Sequence, residues 1–198
     1  MNMEDEIYIE KEKQALYTSK ELAIFLILNY LRDERSDKML VSIGMIGYYL
    51  TGRFVKSKTD RHLIKNIRKG IEQLINSGDI IIVDQKKDNY VIDCNSRCFK
   101  IKGNFVAVKL QEVQKIFSCF GTYGFNILRF FLNIVCSISD NEVLKMSQDD
   151  MVTKWHMGKT TVNNYVRKLV YIGLLCIVDT DERANGYSRC CEELEVTV

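Results

Sequence analysis

At 198 residues and 46% hydrophobic content, the chain has room for one or two domains with a buried core, which excludes disorder over most of its length. A formal net charge of +2 excludes a globally basic footprint, and the absence of proline removes the strongest helix breaker. Many Ile, Leu and Lys residues with short β-branched runs make the expected class α+β, mostly helical.

The first stretch, 1–19, "MNMEDEIYIEKEKQALYTS", is amphipathic and acidic and reads either as a dimer arm or as a loose tail. An apolar helix is expected over "SKELAIFLILNYLRDER", Ser19 to Arg35, and a shorter one over "SIGMIGYYLTG" from Ser42. A long basic loop, "RFVKSKTD", leads into a third helix within "KTDRHLIKNIRKGIEQLINSGDIIIVD", Lys58 to Asp84. Helical periodicity buries Leu63, Ile64, Ile67, Ile71, Leu74 and Ile75 and turns Lys58, Arg61, His62, Lys65, Arg68 and Lys69 outward. From Arg53 to Lys69 seven cations face a single acid, Asp60, so the rest of the chain is net acidic; this concentration attracts a polyanion. "IIIVDQKKDNYVID" then reads as strand, turn, strand, with Lys86 and Lys87 at the tip among Asp84 and Asp88.

The same order recurs. Aligning "GDIIIVD" at Gly78 with "GLLCIVD" at Gly173 sets Ile67, Ile71, Leu74 and Ile75 opposite Val162, Val166, Leu169 and Val170. "GTYGFNILRFFLNIVCSI" from Gly121 is the second copy's apolar helix, and "SQDDMVTKWHM" from Ser147 its short one. Ser147 and Asp150 form a capping box, Trp155 closes the helix onto the core, and His156 occupies a left-handed turn position. Gly158 caps the helix that follows, on which Val162, Tyr165, Val166, Leu169 and Ile172 share one face and Thr160, Asn164, Arg167 and Tyr171 the other. Asparagine matches adenine, arginine matches guanine or phosphate, and threonine takes either base or backbone. Lys159, Thr161, Asn163 and Lys168 flank that ridge. A final hairpin turns at Asn185-Gly186; its Arg183 and Asn185 either approach a minor groove or avoid DNA, since Asp179, Asp181 and Glu182 outnumber Arg183. Between the copies, Arg97 to Phe117 supplies a strand or two and a short helix without a flexible linker. The expected division is 1–19 arm, 20–102 first unit, and 103–198 second unit with its leading strand and connecting helix.

On these residues, from about Lys20 to Ser188, the chain resembles tandem winged-helix DNA-binding proteins of the kind found among plasmid and phage replication initiators and related regulators. Trp155 to Val162 followed by "NNYVRKLVYIGLL" carries the resemblance most specifically. It implies two winged helix-turn-helix units with short β-hairpin wings, two DNA-reading helices on successive grooves, and often a pair of protomers over repeated sites. The first unit departs from the pattern in its long basic loop, where three or four residues are usual.

A basic helical face taken alone is ordinary solvated surface; its recurrence within a repeated unit favours a ligand role. The expected function is sequence-specific binding of double-stranded DNA in replication initiation or related DNA maintenance, with replication or transcription proteins and a second copy of the chain as further partners. The alternatives are a transcriptional regulator of the same fold, or a protein-interaction module using Tyr171, Tyr187 and the Tyr48-Tyr49 pair. No enzyme is expected, because His62 and His156 stand in different units without a paired nucleophile, and Gly158-Lys159-Thr160 lacks the upstream glycine of a phosphate loop. No cofactor is expected either: Cys94-x3-Cys98 lacks the second ligand pair of a zinc site. The seven scattered cysteines, without a secretory leader, read as reduced thiols in a cytoplasm. Apolar stretches such as "LAIFLILNYL" read as core helices rather than membrane spans.

Overall fold

Alternation in "EIYIE" puts Ile7 and Ile9 on one side of β1 (Glu6–Glu10), and both are buried. After α1 (Lys11–Leu16), Thr18 starts α2 (Ser19–Leu31) with a capping box: its hydroxyl accepts the Glu21 N–H, and the Glu21 carboxylate accepts the Thr18 N–H at 2.7 Å. Leu22 to Leu28 of α2 are all fully buried, so this helix is enclosed on every side. β2 (Lys38–Ser42) leads directly into α3 (Ile43–Thr51), which ends at left-handed Gly52, and then come α4 (Arg61–Asn76) and the hairpin β3 (Ile82–Lys86) and β4 (Asn89–Asp93). β5 (Phe105–Lys109) and α5 (Leu110–Phe120) precede α6 (Gly124–Ser137), β6 (Val143–Lys145), α7 (Gln148–Trp155), α8 (Lys159–Tyr171), β7 (Leu175–Val178) and β8 (Gly186–Arg189). The structure is a computed structural model, and it describes residues 6–33, 35–100, 103–138, 143–178 and 186–190.

The class is α+β with small antiparallel sheets. The element order strand, helix, helix, strand, helix, helix, strand, strand runs twice through the chain, once from β1 and once from β5. The sheets repeat as well: β2-β4-β3 in the first copy and β6-β8-β7 in the second, every pairing antiparallel. Each hairpin is therefore part of a three-stranded sheet, its third strand coming from between the second and third helices of its copy.

Two expected boundaries are corrected. Residues 6–10 are not a loose tail: β1 pairs with β5, Tyr8 opposite Ala107, and buries its isoleucines. Since β5 lies against β1 and α5 packs on α3, both belong with the first compact unit, and the division falls between Arg129 and Phe130, within α6, instead of at 102/103. The first apolar helix also stops at Leu31, short of Arg35.

Two further expectations change. Cys176 and Cys190 form a disulfide, with Cα atoms 5.6 Å apart, because Cys176 faces Ser188 in the β7–β8 register and Cys190 lies two residues beyond. Tyr187, expected as an exposed interface residue, is fully buried because it lies on the inner face of central strand β8. The stretch Leu110–Ser137 is long and apolar enough, by length and composition, to cross a membrane. It is broken at Gly121 (φ 54°), and its Val113, Ile116, Phe117, Phe125 and Leu128 side chains are buried in the protein.

Gly70 fixes how closely α4 lies on α2. A Cβ there would stand 2.7 Å from Ile24 Cγ1 and 3.0 Å from the Lys20 carbonyl oxygen, the latter being backbone that cannot swing away. Alanine in a helix is otherwise favoured over glycine by about 1 kcal/mol. Gly70→Ala should nonetheless lower stability by about 1–3 kcal/mol through overpacking, read as a lower urea midpoint. Gly44→Ala, whose methyl meets only Ser42 Oγ at 3.8 Å, should leave the midpoint unchanged or raise it. Equal midpoints for the two variants would show that the α2–α4 contact tolerates a methyl group.

Candidate nucleic-acid interface

On α4 the buried positions are Leu63, Ile67, Gly70, Ile71 and Leu74. Ile64 and Ile75, expected to be buried, are half-exposed flanks. At 100° per residue the opposite face carries Arg61, His62, Lys65, Arg68 and Lys69, all exposed, and Lys58 is exposed in the turn before the helix. The first acid on the helix is Glu72, so its first three turns present cations alone.

The loop before α4 is ordered by Asp60. Its carboxylate receives two hydrogen bonds from Arg53, at 2.8 and 3.1 Å, and the Lys56 backbone N–H at 2.8 Å. The Arg53 guanidinium and the Lys56 amide hold the Asp60 carboxyl well below the usual carboxylate range, at about 2. Asp60 stands at the N-cap position yet makes no side-chain cap, because its oxygens are turned back into the loop. Val55 lies against Gly47 of α3, where a Cβ would come within 2.8 Å of both valine methyls.

Arg68 is not an open cation. Its guanidinium donates to Asp88 in a forked pair, Nη2 to Oδ2 at 2.9 Å and Nε to Oδ1 at 3.2 Å, which raises the arginine pKa further. The Asp88 carbonyl in turn accepts the Ile43 N–H at 3.0 Å. The β3–β4 turn is thus tied to the start of α3 and to the outer face of α4, and it sets exposed Lys86 and Lys87 beside the helix. Lys87 holds this two-residue turn with φ 55°, a conformation commoner for glycine or asparagine.

The second copy keeps the plan with a different chemistry. Ser147 accepts the Asp150 N–H at 3.1 Å while Asp150 accepts the Ser147 N–H at 3.2 Å, the expected capping box. Trp155 meets the edge of Phe130 at 5.3 Å, and His156 adopts the left-handed conformation with φ 50° and ψ 46°. Three residues, His156 to Gly158, separate α7 from α8, where the first copy uses nine, Gly52 to Asp60. Val162, Val166 and Leu169 are buried; Thr160, Asn164, Arg167 and Tyr171 are exposed, Tyr171 at 87%. Thr161, Asn163 and Lys168 are half-buried, and Lys159 pairs with Asp149 at 2.8 Å, both side chains solvated. Arg183 and Asn185 lie outside the described residues.

Periodicity found both outer ridges but missed the three acids that tie cations beside them: Asp60, Asp88 and Asp149. Partners set by loops and turns leave no periodic signal. Among the described residues no group of His, Cys, Asp and Glu side chains is placed to hold a metal ion. The sequence matches no known protein-family model and no curated protein.

The folded-state pKa of Asp60 is depressed, so its contribution to stability is present above its ordinary value of 3.8 and is lost as pH falls toward about 2. Asp60→Asn should melt lower than the wild type at neutral pH, by a modest amount because Arg53 is solvent-screened. The gap should close as pH drops through that window. A gap of the same size at about pH 2 as at neutrality would show that the pair does not order the loop.

Proposed function

We propose that the chain binds duplex DNA sequence-specifically as a tandem winged-helix protein, with α4 and α8 as the groove-entering helices and the β3–β4 and β7–β8 hairpins as wings. One observation carries the reading: in both copies the same element, the last helix before the hairpin, buries one side and presents an exposed hydrogen-bonding ridge on the other. Loss of either half of that arrangement would leave an ordinary core helix.

The two ridges divide the work. Lys58, Arg61, Lys65, Lys69, Lys86 and Lys87 supply point charges for phosphates and hence affinity. Thr160, Asn164 and Arg167 supply the fork and amide geometries that distinguish base edges; Thr160 and Asn164 lie in the first half of α8, the end that enters a groove, and Arg167 one turn further along the same ridge. Arg68 joins the phosphate set only by exchanging Asp88 for a phosphate, a small cost for a solvated pair. The layout resembles that of plasmid and phage replication initiators, so origin recognition, beside replication proteins, is the process that fits best. A protein-binding use of the same helix has one observation in its favour, the exposed Tyr171 ring at the end of α8.

Six phosphate-directed cations give an expected slope of about −5 for log affinity against log salt. Lys65→Ala with Lys69→Ala should make it shallower by about 2 and weaken all duplexes alike. Asn164→Ala or Arg167→Ala should instead cost about 1–3 kcal/mol on the preferred sequence and little on random DNA. A flat salt response would reject the DNA reading and favour a protein partner.

A further inference from the structure

The nine-residue connection in the first copy is more than a long turn. It is pinned at Arg53, whose guanidinium donates to Asp60, and at Val55, which lies against Gly47, and between these ties it holds Phe54 with 81% of its surface in solvent. Val55 takes the seat against Gly47 on α3, and Phe54 beside it is left in solvent. The Phe54 ring is not alone: it lies 5.1 Å from Tyr48, tilted by 35°, and Tyr48 is itself exposed. The Lys56 and Lys58 ammonium groups stand in the same loop, exposed and without an ion pair among the described residues.

A pinned aromatic ring that forgoes burial while cations flank it has the makings of a stacking platform. Bases offer a flat apolar face attached to an anionic backbone, and in duplex DNA those faces are already stacked on one another. In a single strand they are open, and stacking on an aromatic side chain plus a cationic track is how such strands are held without sequence preference. The second copy, with three residues at the equivalent connection, has no counterpart.

We infer that the α3–α4 loop is a binding site for single-stranded DNA, in which an unpaired base stacks on Phe54 beside Tyr48 and the adjoining phosphates meet Lys56 and Lys58. This goes beyond duplex recognition and stands independently of it. In use, such a site would hold a strand exposed when a neighbouring duplex opens.

The test is fluorescence anisotropy of the full chain with a labelled short oligothymidylate and, separately, a blunt duplex of unrelated sequence. Phe54→Ala should weaken single-strand binding about tenfold, leave duplex binding within about twofold, and leave the melting temperature unchanged because the ring is exposed. Phe54→Trp should restore single-strand affinity, since stacking needs a ring rather than phenylalanine itself. The inference is overturned if the wild type ignores the oligothymidylate, if Phe54→Ala leaves that affinity unchanged, if Phe54→Trp fails to restore it, or if Phe54→Ala weakens the duplex equally. The last outcome would make Phe54 a duplex contact. Duplex binding lost with single-strand binding intact would instead refute only the proposed function.

Discussion

Everything that α4 offers to solvent depends on how closely it can lie on α2. Gly70 lets the α4 backbone approach the Lys20 carbonyl and Ile24, and that approach seals Leu63, Ile67, Ile71 and Leu74 into the core of the first unit. Helical geometry does the rest, because a helix fixed on one side has no freedom over what it shows on the other. In the second unit the small contact is replaced by aromatic packing, with Phe130 edge-on to both Trp155 and Tyr165, and the outcome on α8 is the same.

Acidic residues near the two ridges share one physical role. Asp60 holds Arg53, Asp88 holds Arg68, and Asp149 holds Lys159. The Arg68–Asp88 and Lys159–Asp149 pairs are largely solvated and worth little in stability, while in the third Asp60 is mostly covered and only its Arg53 partner is solvated. Their effect is on placement: one orders the loop before α4, one ties the hairpin turn to the helix, and one links the starts of α7 and α8. A cation held in this way can exchange its carboxylate for a phosphate of similar geometry, whereas Lys65, Lys69 and Arg167 stand open from the start.

Long-period features were legible in the sequence. Buried and exposed faces of α4 and α8, the capping box at Ser147, the left-handed His156 and the repeat itself all follow from periodicity and turn chemistry. Short-range and long-range pairings were not. β6 is three residues long, too brief to register an alternation, and β2, though Met39 and Val41 alternate inward, runs straight into α3, so each sheet's third strand went unread. β1 acquires its meaning only from β5, about a hundred residues away, and no local pattern distinguishes a strand with a distant partner from an amphipathic tail. For the same reason the boundary between units was set too early, and the pairing of Cys176 with Cys190 was hidden in a register that only the folded hairpin defines.

The central claim is that the outward faces of α4 and α8 are where duplex DNA meets this protein. Amine-reactive labelling of the lysines, read by mass spectrometry with and without duplex DNA, addresses it in one experiment. Protection confined to Lys58, Lys65, Lys69, Lys86, Lys87 and the α8 lysines, with Lys11, Lys38 and Lys115 labelled as before, is the predicted pattern. Protection centred on Lys11, Lys38 or Lys115, with the α4 and α8 lysines still reactive, would contradict it.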